Sequence, residues 1–457
     1  MAGITVSRRD SRTEPSGSAP APIAQDARHK VGLTTVGEDL GHDRGGQPPL
    51  MIKHARAGVD DMHHDLPQAS RMRDAWLVDA ALADGRGAMA STQCRQQVLV
   101  RLDRLGVHAA VIGYPAVRPA DRALLAESRG ICRQIIRICA TAPEDAEALA
   151  GILRDAAATA TAGDPPVDAL VECSTDPALD RGVAGAADPV GGLGRAVAVL
   201  RGIAQVHVVF AALATAAPDR LRAMVQAALL NGARSLILAD TTGRMLPVET
   251  AAAVAVLRSL AGPDVAVIAA PADDLGLATA NALAAIGAGA TGVMGAIGGL
   301  GERAGLVALE EIATAIRYRP DHTCLAHDID LALMSEAGQD IAAALAVDLG
   351  RNKAVLGDYV FGTAAGLHQH GLLNHPITYE YLDPADFGRE RRILIGRHSG
   401  RAVLRSRLTE AGINFAPDQL EAVYQAVMRS PDPERFNDNA DLVALYRQLA
   451  AHDIQGA

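Results

Sequence analysis

DDLGLATANALAAIGAGATGVMGAIGGLGERAGLVALEE, residues 273–311, contains the unit from which most of this chain is built. Leu275, Leu277, Ala280, Leu283 and Ile286 recur at helical spacing, so its first part predicts an apolar helix. The run 291–297 is short, apolar and bounded by glycine, which predicts a buried strand. A glycine loop at 298–305 then leads into a second helix. Helix, strand, loop and helix in this order make the repeat of a parallel α/β fold, whose sheet is buried on both faces.

Working outward, the same alternation predicts strands at 76–80, 109–113, 134–138, 169–173, 206–211, 235–239, 265–269 and 292–296. Helical stretches separate them, among them 144–158, 219–231 and 247–260. Eight strands, each followed by a helix, predict a (β/α)8 TIM barrel. A doubly wound open sheet stays open as the alternative, because periodicity does not reveal closure. In both folds chemistry gathers beyond the C-terminal ends of the strands. That directs attention to residues 79–84, Tyr114, residues 174–176, Asp240, Thr241, residues 270–274 and the glycine loop.

The flanks read differently. Residues 1–70 are rich in Ser, Pro, Gly, Asp, Arg and His without a period, which predicts a disordered extension. Residues 71–319 are assigned to the barrel and 320–457 to a smaller, mainly helical C-terminal domain. Within the latter, 326–349 predicts one helix, 355–381 a loop-rich segment, and 402–451 two or three helices.

Composition excludes several roles. The 457 residues carry a net charge of -10 and only 3% aromatics, which argues against nucleic acid or an anionic membrane as partner. No apolar run is long enough to span a bilayer, and no apolar segment follows Arg8 and Arg9 to form a secretory signal. The cysteines (Cys94, Cys132, Cys139, Cys173 and Cys324) are scattered and odd in number, which fits small buried residues in a reducing cytoplasm.

Four strings carry a resemblance: DLGLATANALAAIGAGA with GGLGERAGLVALEE, LVDAALADG at 77–85, LADTTGRMLP at 238–247, and FGTAAGLHQHGLLNHPITYEYLDPADFGRERRILIGRHSGR at 361–401. Together they resemble the acyl-CoA-dependent Claisen synthases, comprising homocitrate, 2-isopropylmalate and citramalate synthase, with a pyruvate carboxyltransferase-type barrel. The wording of 361–401 is most similar to homocitrate synthases of nitrogen-fixing bacteria. The resemblance implies condensation of acetyl-CoA with a 2-oxo acid such as 2-oxoglutarate. It also implies a divalent metal (Mg²⁺, Mn²⁺ or Zn²⁺) that polarises the oxo acid carbonyl, and a homodimer whose post-barrel His and Tyr assist proton transfer.

Carried over by position, the resemblance assigns proton transfer to His368 and Tyr379, substrate binding to Thr241, Gly299, Gly301, Glu302 and Arg303, and one metal ligand to Asp84. The family's His-x-His ligands fall on Ala270 and Ala272, and the arginine beside its acidic ligand falls on Ala83. Alanine methyls bind no cation, and losing one preorganised charge-stabilising donor costs roughly 10²–10³ in rate. Two readings follow. One is an acyltransferase whose metal site is rebuilt from Asp84 with Asp79, Asp240, Asp273 and Asp274. The other is a catalytically inactive binding or regulatory partner that heterodimerises with an active synthase. Against a rebuilt site stands a simpler use of the aspartates, with Asp274 capping a helix and Asp240 ordering a turn.

Overall fold

The computed structural model describes residues 72–83, 85–139, 143–176, 188–363, 365, 368–369, 371–372, 375 and 379–455, with backbone alone at 137–139, 143–144 and 452–455. The expected disordered extension 1–70 and the ligand position Asp84 lie outside these residues.

Eight parallel strands close into a barrel in chain order: β1 Trp76–Asp79, β2 Ala109–Gly113, β3 Gln134–Cys139, β4 Val167–Ser174, β5 Val206–Ala211, β6 Ser235–Asp240, β7 Ala266–Pro271 and β8 Gly292–Gly295. Closure is direct, since Trp76 pairs with Gly292 and Asp79 with Gly295 across β1 and β8. The open-sheet alternative is therefore removed. Helices follow the strands on the outside: α1 Thr92–Leu105, α2 Pro119–Glu127, α3 Pro143–Ala158, α4 Pro189–Leu200, α5 Pro218–Leu230, α6 Pro247–Ala261, α7 Ala278–Gly287 and α8 Leu309–Tyr318. Proline opens α2 to α6, where its missing N–H is no loss and its fixed φ is already helical. Helix α1 instead starts on Ser91, whose Oγ accepts from Cys94 N at 3.2 Å, and ends on Gly106 at φ 82°.

Inside the barrel, Val78, Ile135, Leu170, Val209, Ile237 and Ile268 form one packed cluster. The N-terminal end is plugged by a polar and aromatic group. Trp76 stacks on His108 with ring centroids 4.2 Å apart and meets His207 edge-on at 5.5 Å. His207 Nδ1 lies 2.8 Å from Ser235 Oγ, and its Nε2 lies 3.5 Å from Asp168. Burial pushes the His108 imidazole down to about 4, so it stays neutral in this plug.

A separate buried cluster, which holds Leu99, Ile136 and Val208, continues into the following segment with Leu325, Ile329, Met334 and Ile341. The predicted helix over 326–349 is shorter, α9 Met334–Ala344. Leu325–Ala326 pairs as a short strand with Arg73–Asp74, and Asp330 Oδ1 accepts from Ala332 N to start a separate turn. At the far end Ala346 adopts φ 51°, which no helix continues through. Three further helices, α10 Arg401–Glu410, α11 Pro417–Arg429 and α12 Asn439–Gln455, share a second core built on Leu404, Leu420, Val423 and Val427. No helix of the described residues is long and apolar enough to cross a membrane.

Candidate functional site

The C-terminal strand ends converge on a cavity of about 230 Å³ at the barrel mouth. A larger, more open depression of about 380 Å³ lies beside Pro115, Val117 and Arg122, but the mouth is where several strands present side chains together. Its floor is apolar. Ala80, Val111, Val209, Ala239, Ala270 and Ala272 line it, with Met294 and Leu306 beside them. Polar groups line it as well: Tyr114, Glu172, Asp240, Thr241, Glu302 and Arg303.

Tyr114 donates its hydroxyl to Glu172 Oε2 at 2.7 Å, linking the ends of β2 and β4. The placement of Tyr114 has a cause below it. Buried Arg95 donates to Asp121 Oδ1 at 2.7 Å, to Ile112 O at 2.6 Å and to Leu82 O at 3.3 Å. Asp121 Oδ2 in turn accepts from Tyr114 N at 2.7 Å. Gly113 sits at φ 107°, and a Cβ there would come 2.4 Å from Asp121 Oδ2, so the loop requires glycine. Glu172 was not foreseen as a site residue. Its signal was a carboxylate two residues after inward-facing Leu170, in phase with the barrel interior.

Among the described residues, Asp79, Asp240, Asp273 and Asp274 do not assemble a cation site. Asp79 is 1% exposed; its Oδ1 accepts from Ala81 N at 2.9 Å and its Oδ2 from Ile297 N at 2.8 Å. Burial nevertheless pushes the Asp79 carboxyl up to about 6. Asp240 orders a turn, accepting from Thr242 Oγ1 at 3.1 Å and Met245 N at 2.7 Å. The expected cap at Asp274 belongs instead to Asp273, whose Oδ1 accepts from Ala278 N at 2.9 Å. Gly276, at φ 69°, delays the start of α7 past the predicted Leu275.

Asp274 pairs with Arg303, which donates from Nε at 2.8 Å and from Nη2 at 3.0 Å, and this pairing holds the Asp274 carboxyl below the usual range. Arg303 Nη2 also donates to Thr241 O at 2.5 Å, so the expected binding residues Thr241 and Arg303 do meet. Gly299 and Gly301 serve the loop's own geometry. Gly299 has φ 68°, and a Cβ on Gly301 would come 3.0 Å from Leu306 Cγ and 3.2 Å from Gly305 Cα.

Behind the loop, fully buried Glu310 accepts from Gly298 N at 2.8 Å. Its Oε1 lies 3.2 Å from Lys353 Nζ, which also reaches Glu311 at 2.5 Å. Oε1 has no well-aligned hydrogen bond despite that approach, and burial pushes the Glu310 carboxyl up to about 7. His368 and Tyr379 pack against each other at a tilt, with ring centroids 4.3 Å apart; both are exposed, and neither lines this mouth. In the basic segment, Arg389 donates to Gly357 O at 2.8 Å and Arg391 approaches Glu380 to 2.6 Å, so both are tied within the chain. Cys132 and Cys173 are buried as expected, whereas Cys324 is exposed.

Among the described residues, no group of three or more His, Cys, Asp or Glu side chains is placed to hold a metal ion. The donors among the described residues do not fit the divalent metal that the resemblance implies. Ala270 and Ala272, the positions that the resemblance assigns to imidazoles, line the mouth with methyl groups, and Asp79 and Asp240 already accept hydrogen bonds from the protein itself.

Comparison with known proteins gives the family. Residues 75–341 match the HMGL-like family and residues 355–434 the "Homocitrate synthase post-HMGL domain-like" family. The chain is 31% identical over 395 residues to 2-isopropylmalate synthase of Xanthomonas axonopodis pv. citri, covering 84% of this chain and 74% of that one. It is 36% identical over 240 residues to 2-isopropylmalate synthase of Methylorubrum populi, covering 51% of this chain and 46% of that protein. Among solved structures, HMG-CoA lyase of Bacillus subtilis is similar at TM-score 0.50 and 17% identity, covering 62% of this chain and 98% of its own, a likeness of fold. Eight strands closed in chain order, a post-barrel segment of matching family and a 2-isopropylmalate synthase matched over 84% of this chain lead to one conclusion: this chain belongs to the HMGL-like family of acyl-CoA and 2-oxo acid condensing enzymes.

Proposed function

We propose that this chain is a 2-oxo acid acyltransferase-type barrel that has lost metal-dependent condensation and acts as a binding or regulatory partner of an active synthase. The observation that carries the reading is the mouth floor, where methyl groups of Ala270 and Ala272 stand at the positions that the resemblance assigns to imidazole ligands, while Asp240 beside them accepts hydrogen bonds from Thr242 and Met245 N. An anionic 2-oxo acid relies on a cation to polarise its carbonyl, and among the described lining residues the cation is Arg303, which is paired with Asp274. The exposed His368–Tyr379 pair, outside the lining of its own mouth, supports a role presented to a second chain. The test combines metal analysis of the purified protein with an assay of CoA release from acetyl-CoA and 2-oxoglutarate, with Mg²⁺, Mn²⁺ or Zn²⁺ added. Sub-stoichiometric metal and background turnover are expected; turnover above background overturns the reading. Co-purification with an active synthase, and a changed activity of that synthase, are expected from the partner role.

A second reading is working homocitrate-type condensation of acetyl-CoA with 2-oxoglutarate. It draws on the post-barrel match at 355–434, and the same CoA-release assay decides it.

A further inference from the structure

The barrel mouth is still a cavity, and its chemistry is opposite to that of a chelating site. Six lining side chains at its floor end in methyl groups: Ala80, Val111, Val209, Ala239, Ala270 and Ala272. Its hydrogen-bonding groups are the Tyr114 hydroxyl, already donated to Glu172, the carboxylates of Glu172, Asp240 and Glu302, which repel an anion, and the Thr241–Arg303 edge. Among the described lining residues the cation is Arg303, and Asp274 holds it through two nitrogens at 2.8 and 3.0 Å. No described lining group is therefore a spare positive charge for a carboxylate. An ion placed against the methyl floor loses its hydration without a compensating partner, whereas an aliphatic group gains from burial there.

From this we propose that the mouth binds a small, neutral, aliphatic molecule, apolar end inward and hydrogen-bonding head at the level of Tyr114 and Thr241, without any metal. The volume sets the size of the occupant. An engineered apolar cavity of about 150 Å³ admits benzene, so about 230 Å³ suits a branched molecule of roughly six to ten heavy atoms. This orientation inverts the one a chelated 2-oxo acid requires, in which the polar end enters first. The proposal rests on the reading that metal-dependent condensation is lost, and it names the class of ligand that replaces the oxo acid.

The decisive pair of probes is isovaleramide and isovalerate, which share a shape and differ in charge. Titration calorimetry on the full chain, in EDTA, is expected to show one isovaleramide site per chain, with isovalerate binding at least tenfold more weakly. Two variants locate the site. Ala270→Asp places a charge in the floor and Ala272→Leu fills it; each is expected to weaken isovaleramide at least tenfold. Circular dichroism identifies which variant is folded, and either one alone is sufficient. Equal or tighter binding of isovalerate, loss of isovaleramide binding in EDTA, or undiminished binding in a folded variant overturns the proposal. Absence of isovaleramide binding together with absence of turnover overturns the ligand class and leaves the loss of condensation standing. CoA release with 2-oxoglutarate and metal overturns both.

Discussion

Replacing Arg95 with Met is expected to be among the most damaging single changes available in the barrel. The guanidinium is 0% exposed, and it satisfies the Asp121 carboxylate at 2.7 Å together with the carbonyls of Ile112 and Leu82. Methionine fills similar space but leaves a carboxylate and two carbonyls without their donor. Breaking a buried pair from one side costs about 3–5 kcal/mol. Against a total stability of about 5–15 kcal/mol, that is a large fraction, and at roughly 2–4 °C per kcal/mol it lowers the melting temperature by about 10 °C.

The matched control is Arg95→Met with Asp121→Asn. Asparagine carries no charge yet keeps an oxygen for Tyr114 N, which Asp121 accepts at 2.7 Å. Most of the lost stability is expected to return, because the expensive item is the orphaned charge rather than the missing attraction. Urea unfolding of the three proteins measures this. A loss below about 1 kcal/mol in the single variant, far under the 3–5 expected for an orphaned buried charge, would refute the reasoning. So would a double variant no more stable than the single one.

Other expectations follow from the loop and its surroundings. Gly305→Ala places a Cβ 1.9 Å from Gly299 O at a residue with φ 95°, so a destabilisation of about 2 kcal/mol or more is expected in thermal melts. The Glu310 carboxyl, raised by burial from 4.5 to about 7, holds a proton that the unfolded chain releases. Its contribution to stability is complete below pH 4.5 and is lost as pH rises through about 7. Urea midpoints of the native chain are thus expected to fall from pH 5 to pH 8 more steeply than those of Glu310→Gln; parallel profiles would count against the assignment. Ala270→His with Ala272→His places two imidazoles beside Asp240 at the mouth, and zinc titration is expected to show tighter binding by the variant than by the parent.

The strands were legible because a parallel barrel buries them on both faces, so each appears as a run such as AAVIG or VHVVFA with turn residues around it. Closure was not legible, since it resides in the pairing of Trp76 with Gly292 rather than in any local pattern. The glycine loop and the Thr241 and Arg303 positions were readable from local strings. What Arg303 does was not, because its partners Asp274 and Thr241 lie 29 and 62 residues away. The Tyr114–Glu172 link spans 58 residues and two strand ends, and only the inward phase of β4 hinted at it. The error over 326–349 has a different origin. Ala and Leu favour helix throughout, but the backbone at Leu325–Ala326 is taken by a strand partner far upstream.

The pairing of β1 with β8 also has a consequence in time. Trp76 and Gly292 are 216 residues apart (292 minus 76), so β1 has no β8 partner until that much more chain exists. At about 5–20 residues per second of synthesis, the wait is roughly 10–40 s. Through that interval one side of β1 is an open strand edge, competent to pair with the wrong chain. The seam of the barrel is therefore its most aggregation-prone place during biogenesis, and the last part of the sheet to be protected.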